Sequence, residues 1–227
     1  MVDFIDYSNN PKFYVVVDCI IFGYSEDKLK ILVRKFDTGS ETMELRLHGG
    51  FVQENEDLDD VAQRIIRERT GVDKSYTEQV GTWGKRKRDP MARVISVAYY
   101  SLLDIAKCDK MRFARFNSLW VDINTLPQLQ LDPADMVNYA LFQLRMFVGR
   151  KPIGFSLLPP LFTLTQMQRM HEAVLGVKLD KRNFRRRVAE MRFVVKSDQV
   201  DKVHSKRGAA LYHYDEEMFK YFNNFKL

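Results

Sequence analysis

The stretch of the chain that most clearly indicates chemistry is GGFVQENEDLDDVAQRIIRERTGV, residues 49–72, in which a glycine turn leads into a helix with charged side chains at regular intervals. Loops and helices of this kind hold Mg²⁺ or Mn²⁺ against a pyrophosphate, with carboxylates as the metal ligands. Here Ile65 and Arg69, one helical turn apart, stand at two positions that require carboxylates, and Glu68 remains. We therefore predict no catalytic residues, no metal site and no cofactor, and a protein that is not an enzyme.

The spacing of this stretch matches the Nudix box, a pattern of glycine and charged residues that ends in a second glycine. The matching residues are Gly50, Glu56, Arg64, Ile66, Glu68, Gly71 and Val72. Each also has a structural interpretation: Arg64 and Glu68, four residues apart, can pair along the helix, and Gly50 can serve only a turn. The pattern leaves both interpretations open.

A box that has lost its metals can still bind a small ligand, and the polar residues on strands beside it are the candidates. Asp18 interrupts an apolar strand, so its carboxylate needs polar partners. Arg46 and His48 precede the glycine turn, and His48 stands where the Nudix pattern usually has proline. We predict Asp18, Arg46, His48 and Glu68 as effector-binding residues, with a purely structural role as the alternative for each. The basic loop GKRKRDP (84–90) would suit a phosphate, but a solvated loop is the favoured interpretation.

The last third of the chain carries the charge and residue types of a DNA-binding unit. Residues 150–227 contain 16 Lys and Arg against 8 Asp and Glu, whereas the rest of the chain is close to neutral. In the predicted helix after Asp180, Phe184 and Val188 share one face, so the basic residues lie on the other. The predicted DNA contacts are Lys181, Arg182, Asn183, Arg185 and Arg186 in this helix, and Lys206 and Arg207 at the tip of a hairpin.

The elements that position these residues form two domains. Residues 1–150 read as strands and two helices, a mixed α/β body, and the linker 151–160 holds three of the seven prolines. Residues 161–227 read as helix, tight turn, basic helix and hairpin, the order of a winged helix-turn-helix. Thr165 and Gln168 are predicted to form the capping box of the first helix. The fold class is thus an α/β (α+β) Nudix-like sandwich followed by a C-terminal winged helix-turn-helix domain.

Several classes of protein are excluded by the composition. The first residues, MVDFIDYSNNPKF, are not typical of a signal peptide. The most apolar run, residues 15–22, is too short to cross a bilayer and contains Asp18. Cys19 and Cys108 lack the paired spacing of a metal or redox site, which favours a cytoplasmic location without membrane partners.

The whole chain resembles the Nudix-related transcriptional regulators of the NrtR type. The stretches that carry the resemblance are VVVDCIIFGYSEDKLKILVRKF, LHGGFVQENEDLDDVAQRIIRERTGV, RDPMARVISVAYYSLL and, above all, FTLTQMQRMHEAVLGVKLDKRNFRRRV. The resemblance implies a homodimeric bacterial repressor that binds double-stranded operator DNA and senses a small-molecule effector with an inert Nudix-like body. Its Nudix box, which departs from the pattern at Ile65 and Arg69, is most like the boxes of the AraR branch. The resemblance therefore implies L-arabinose as the expected effector, with ADP-ribose second.

Two other functions remain as alternatives. One is an active Nudix pyrophosphatase with a DNA-targeting tail, for which Mg²⁺-dependent turnover that depends on Glu68 is the distinguishing property. The other is an interaction module whose basic tail binds a protein or RNA. Salt-sensitive, sequence-specific duplex binding distinguishes the regulator from that module.

Overall fold

The computed structural model describes residues 8–37, 39, 43–129, 132–203 and 208–222. The strands are β1 (Tyr14–Ser25), β2 (Lys28–Asp37), β3 (Met43–Arg46), β4 (His48–Phe51), β5 (Tyr76–Trp83), β6 (Val94–Asp104), β7 (Ser118–Asp122), β8 (Phe162–Thr163), β9 (Val194–Asp201) and β10 (Ala209–Tyr214). The α-helices are α1 (Leu58–Thr70), α2 (Lys110–Arg115), α3 (Asp132–Val148), α4 (Leu164–Leu175), α5 (Lys181–Glu190) and α6 (Glu216–Phe222). Within the described ranges, no helix is long and apolar enough to cross a membrane.

A seven-stranded mixed sheet forms the body. Its order is β3-β2-β1-β6-β5, with β4 also paired to β1 and β7 to β2. β1 and β6 run parallel, and the other pairs are antiparallel. The Val- and Ile-rich segment predicted as two strands around a polar hairpin is β1 and β2. Their turn places Glu26 and Asp27 at φ 53° and 57°, the left-handed conformation that two-residue hairpins favour.

The two faces of the sheet are covered by different helices, because successive side chains of a strand point to opposite sides. Val17, Cys19 and Ile21 of β1 pack in a cluster with α1. Ile20 and Phe22 pack on the other side in the cluster that contains α3. Ile65, on the inner face of α1, is fully buried, so its predicted packing role is confirmed. Gly71 ends that helix at φ 80°.

The tail has the order helix, turn, helix and hairpin, with a three-stranded sheet in the order β8-β10-β9. Gly176, at φ 72°, ends α4, and Asp180 caps α5 by accepting a hydrogen bond of 2.8 Å from the Asn183 amide. The predicted capping box of α4 is wrong by two residues. It is formed by Thr163 and Gln166, which exchange hydrogen bonds of 3.1 and 2.7 Å.

Body and tail are in direct contact. Arg145 near the end of α3 donates a hydrogen bond of 3.0 Å to the carbonyl of Val174 in α4, and Arg169 of α4 pairs with Asp27 at 2.8 Å. The predicted linker contains a 3-10 helix, Pro152–Leu157, that is partly buried in the shared core. The domain boundaries at 150 and 160 stay a prediction.

Candidate functional site

A cavity of about 820 Å³ lies beside the glycine turn of β4 and the start of α3. Residues from both faces of the sheet line it: Val16 and Asp18 point to the side of Ile20 and Phe22, where α3 packs, whereas Arg34 of β2 points to the side of Leu32 and α1. The lining residues are Val16, Asp18, Arg34, Glu44, Leu45, Arg46, Leu47, Gly49, Gly50, Phe51, Arg88, Asp89, Val94, Pro127, Gln128, Asp132 and Pro133. Both carboxylates and guanidiniums therefore border the cavity.

A network of buried polar side chains lies at one end of the cavity. Ser96 donates a hydrogen bond of 2.6 Å to Asp18. Arg88, whose side chain is 10% exposed, donates a hydrogen bond of 2.9 Å to Asp132 and lies 3.7 Å from the Asp18 carboxylate. Burial raises the pKa of Asp18, and Ser96 and Arg88 partly offset this shift. The polar partners that Asp18 was predicted to need are present, and the prediction of a solvated loop is wrong for Arg88.

Glycine is required at position 49 by the close approach of Asp18. The two residues lie opposite each other in the β1–β4 pair. A Cβ atom at Gly49 would stand 2.5 Å from the Asp18 carboxylate oxygen and 3.0 Å from the Val17 carbonyl oxygen. The glycine turn thus makes room for a cavity carboxylate, a use that its sequence pattern does not specify.

Two arginines form another part of the cavity wall. Arg34 of β2 and Arg46 of β3 are directly opposite each other across the antiparallel pair. The Arg46 guanidinium lies 3.5 Å from the centre of the Phe36 ring and donates a hydrogen bond of 3.0 Å to Glu44. The Arg34 guanidinium lies 5.5 Å from the same ring. Its Nε is buried and has no hydrogen-bond partner within the described ranges.

The charged residues of the Nudix-type helix α1 bind one another. Arg64 donates hydrogen bonds of 2.9 Å to Glu56 and 3.2 Å to the Phe51 carbonyl. Its hydrogen bond lowers the pKa of Glu56. Glu68 lies 3.7 Å from Arg64 and 3.3 Å from Arg69, and it is not among the residues that line the cavity.

Arg69, predicted from the box pattern to stand in place of a carboxylate, has its guanidinium 3.9 Å from the centre of the Phe116 ring. In the part of the chain that the structure describes, no cluster of three His, Cys, Asp or Glu side chains could hold a metal ion.

His48 is buried and lies behind the cavity rather than in its lining. Its Nε2 is 3.3 Å from the Ser118 hydroxyl. Burial, with the nearby guanidiniums of Arg69 and Arg34, lowers the pKa of His48 to about 3. The imidazole is thus neutral at physiological pH, which suits a packed polar residue between strands.

The exposed face of α5 is basic and its other face is buried. Phe184, Val188 and the capping residue Met191 are 3–4% exposed. Lys181, Arg182, Asn183 and Arg186 are exposed, and Arg185 is half-buried and donates a hydrogen bond of 3.0 Å to the Thr165 hydroxyl. The predicted hairpin residues Lys206 and Arg207 lie outside the described residues.

The relatives of this chain combine the same two parts. A family model of the NrtR DNA-binding winged helix domain matches residues 154–214. Over 211 residues the chain is 34% identical to the ADPR responsive transcriptional repressor NtrR of Acinetobacter baylyi, across 91% of this chain and 84% of that protein. The chain belongs to the NrtR family of winged-helix regulators. The predicted family is therefore confirmed, and the AraR branch within it is not shown.

A solved structure supports the fold of this NrtR-family chain over nearly its whole length. The crystal structure of Shewanella oneidensis NrtR complexed with a 27mer DNA is similar with a TM-score of 0.79 and 25% identity, over 94% of this chain and 97% of that one. The ADP-ribose pyrophosphatase of Methanocaldococcus jannaschii is 32% identical over 129 residues, 55% of this chain and 70% of that enzyme. The predicted fold class is confirmed.

Arg34, Arg88 and Asp132 line the cavity and Ser96 bonds to Asp18, and none of the four was predicted as an effector-binding residue. Arg88 belongs to a run of basic residues that gives no sign of burial, and Asp132 resembles an ordinary helix cap. Their pairing connects residues that are 44 positions apart in the chain. A contact over such a distance depends on the folded topology, so no local pattern could have revealed it.

Proposed function

We propose that this NrtR-family chain is a transcriptional repressor that binds operator DNA through its winged helix and senses ADP-ribose in the cavity of its Nudix-like body. The observation that carries the proposal is the cavity bordered by both arginines and carboxylates. An ADP-ribose molecule carries a charged diphosphate and hydroxyl-rich riboses, so it needs both kinds of partner. Guanidiniums donate to phosphate, and carboxylates accept hydrogen bonds from hydroxyls.

ADP-ribose now takes precedence over L-arabinose as the proposed effector. A volume of about 820 Å³ lies in the upper part of the range of about 300–1,000 Å³ that encloses drug-sized ligands. A single pentose fills a small part of such a space and leaves the arginines without an anionic partner. The names of the relatives point the same way, since one is an ADPR responsive repressor and another an ADP-ribose pyrophosphatase.

The predicted effector residues have different places in this proposal. Asp18 and Arg46 border the cavity, and we propose that they contact the effector directly, together with Arg88. His48 and Glu68 lie outside the lining, and we propose that they support the glycine turn and the helix behind it. The ion pairs of Arg64, Glu68 and Arg69 support a body that binds its ligand without cleaving it.

The proposed DNA contacts are Arg182 and Arg186 at the centre of the exposed face of α5, with Lys181, Asn183 and Arg185 around them. Arginines of this kind donate to guanine edges in the major groove and to phosphates. The hairpin residues Lys206 and Arg207 remain proposed contacts with the DNA backbone. A homodimer would place two copies of α5 on half-sites related by a two-fold axis, and such a repressor works in the cytoplasm, where the operator is.

Helix α3 offers a route from the cavity to the DNA-binding helices. Asp132 at its start pairs with Arg88 in the cavity, and Arg145 near its end binds the Val174 carbonyl in α4. Its 17 residues span about 25 Å. A ligand that draws Arg88 away from Asp132 would shift α3, and with it α4 and α5. By linkage, the factor by which effector weakens DNA binding equals the factor by which DNA weakens effector binding.

The thermal stability of the full-length protein tests the effector. ADP-ribose at 100 times its dissociation constant is expected to stabilise the protein by about 2.7 kcal/mol, in EDTA as well as in Mg²⁺. L-arabinose, at millimolar concentration, serves as the alternative ligand. Stabilisation by L-arabinose alone would reject ADP-ribose while keeping a sugar-responsive regulator.

DNA binding and turnover are tested separately. A duplex enriched from random sequences by in vitro selection is expected to bind, and ADP-ribose is expected to weaken that binding. Failure to enrich any sequence would contradict the repressor. The pyrophosphatase alternative predicts release of AMP from ADP-ribose in Mg²⁺ and loss of that activity in Glu68→Gln, whereas we expect no AMP above the rate without protein.

A further inference from the structure

We infer that Arg34 and Arg46 form a metal-independent subsite for a diphosphate group, such as that of the proposed effector. The inference rests on the proposed function for the rest of the ligand, but the subsite itself follows from the two side chains. It assigns a role to Arg34, and it specifies the chemical group that Arg46 binds.

The first observation is the repulsion that the fold builds into this wall of the cavity. Arg34 and Arg46 are directly opposite in the β2–β3 pair, where Cβ atoms are about 4.5–5.5 Å apart and like charges destabilise the sheet. Both guanidiniums also gather at the ring of Phe36. Two cations held this close are favourable only when an anion lies between them or beside them.

The second observation is that these cations lack sufficient anionic partners in the described structure. Arg46 pairs with Glu44. Arg34 has no ion pair among the described residues, and its buried Nε has no hydrogen-bond partner there. A buried donor on a charged group normally has a partner, since desolvation without one is costly. Because both side chains border the cavity, a ligand in the cavity can supply that partner.

The third observation is the contrast with Arg88, which lines the same cavity beside Asp18. Arg88 is already committed to Asp132 and Asp18, so its charge is compensated within the protein. The cavity therefore has one end where a cation is satisfied by carboxylates and another where cations are in excess. An elongated ligand with an anionic group and a hydroxyl-bearing group would be oriented by that difference.

The chemistry of the subsite matches a diphosphate. The bridging diphosphate of ADP-ribose carries about two negative charges, and two guanidiniums supply two positive charges, as a divalent cation would. The planar fork of each guanidinium can donate two parallel hydrogen bonds to phosphate oxygens. The arginine pair thus supplies positive charge of the kind that a metal ion supplies in a hydrolase.

Calorimetric titration of the full-length protein in EDTA tests the subsite, with Arg34→Gln and Arg46→Gln as the variants. Arg86→Gln is the matched control, because Arg86 is an exposed arginine outside the cavity lining. Each cavity variant is expected to bind ADP-ribose at least tenfold more weakly than the wild type, and the control is expected to bind equally. Adenosine, which lacks the diphosphate, should bind wild type and variants with the same affinity.

The melting temperature of the ligand-free protein shows whether weaker binding in a variant is caused by misfolding. Because Arg34→Gln relieves repulsion between opposed cations and removes no ion pair with the described residues, that ligand-free variant is expected to melt at or above the wild-type temperature. Unchanged ADP-ribose affinity in both variants would overturn the subsite and leave the proposed effector intact, and loss of wild-type binding in EDTA would overturn its metal independence.

Inorganic pyrophosphate separates the subsite from the proposed effector. Suppose that the wild type does not bind ADP-ribose but binds pyrophosphate in EDTA, and that Arg34→Gln does not bind pyrophosphate. The subsite is then supported and the proposed effector is wrong. If the wild type binds neither ligand, both the subsite and the effector are wrong.

Discussion

Helices α1 and α5 are both rich in arginine, yet they use it in opposite ways. In α1, Arg64 is held by Glu56 and the Phe51 carbonyl, and Arg69 by Glu68 and the Phe116 ring. In α5, Arg182 and Arg186 are exposed, and neither forms an ion pair with the residues that the structure describes. The arginines of α1 are therefore part of the fold, whereas those of α5 are available to a partner.

The difference shows that a run of positive charge in a sequence does not by itself identify a binding surface. By sequence, RIIRERTG and FRRRVAE are equally basic helical segments, each with three arginines and one glutamate, and neither composition nor spacing separates structural from functional arginines. The partners of each guanidinium do separate them, because a charge already neutralised within the fold gains little from an external anion. Within α5 itself, the contact of Arg185 with Thr165 marks it as the more structural member of its group.

The largest effect is expected from the arginines of α5. Arg182→Ala and Arg186→Ala should each cost about 1–3 kcal/mol of binding to the selected duplex, roughly ten- to hundredfold in affinity. The unfolding free energy should change by less than about 0.5 kcal/mol, as for other exposed positions. Fluorescence anisotropy with the labelled duplex, beside urea unfolding, measures both. Unchanged affinity would show that another surface binds DNA.

Substitution of an α1 arginine that is paired within the fold is expected to lower stability and to leave DNA affinity unchanged. Arg64→Ala should lower the unfolding free energy by about 1–2 kcal/mol, because it removes charge-assisted hydrogen bonds and leaves Glu56 without its cation. DNA affinity should stay at the wild-type value. Arg67→Ala is the matched control, since Arg67 is exposed on the same helix and its loss should change stability by less than about 0.5 kcal/mol. Equal effects of the two substitutions in urea unfolding would contradict a structural role for Arg64.

The smallest effect concerns the imidazole beside the α1 arginines. Since the pKa of His48 falls to about 3 in the fold, the unfolded chain binds the extra proton between pH 3 and about 6.5. The stability that depends on neutral His48 is complete above pH 6.5 and is lost as pH falls, by at most about 1.4 kcal/mol per pH unit. His48→Gln should flatten this slope in urea unfolding between pH 7 and 6, where it amounts to less than about 1 kcal/mol. The same slope in wild type and variant would show that His48 does not titrate differently in the folded state.

Much of the fold could be predicted from local patterns. The apolar spacing of α1 and the glycine after it predicted that helix and its end. The turn at Gly176 and the cap at Asp180 predicted the end of α4 and the start of α5. The capping box of α4 was misplaced because the sequence TLTQMQ contains the capping pattern twice, starting at Thr163 and at Thr165. The choice between them depends on burial of Leu164 and Met167 in the core, which is a tertiary effect.

The site was less predictable than the fold. Asp18 stood out because a carboxylate in an apolar strand needs partners, but nothing local identified Arg88 and Ser96 as those partners. Arg34 was hidden in the strand KLKILVRKFD, where an arginine near the end resembles an ordinary edge residue. Its opposition to Arg46 depends on strand register, and register across a gap of several residues is set by the whole sheet.

The core that joins the two parts of the molecule has a consequence for its lifetime. One continuous cluster of buried side chains runs from Ile20 and Phe22 in the sheet, past Leu144 in α3, to Phe184 and Val188 in α5. Parts that share a core tend to unfold together, and proteases attack the unfolded population. A molecule bound in the cavity should therefore also shield the distant DNA-binding helix from degradation, so that release from the operator and survival of the protein rise together.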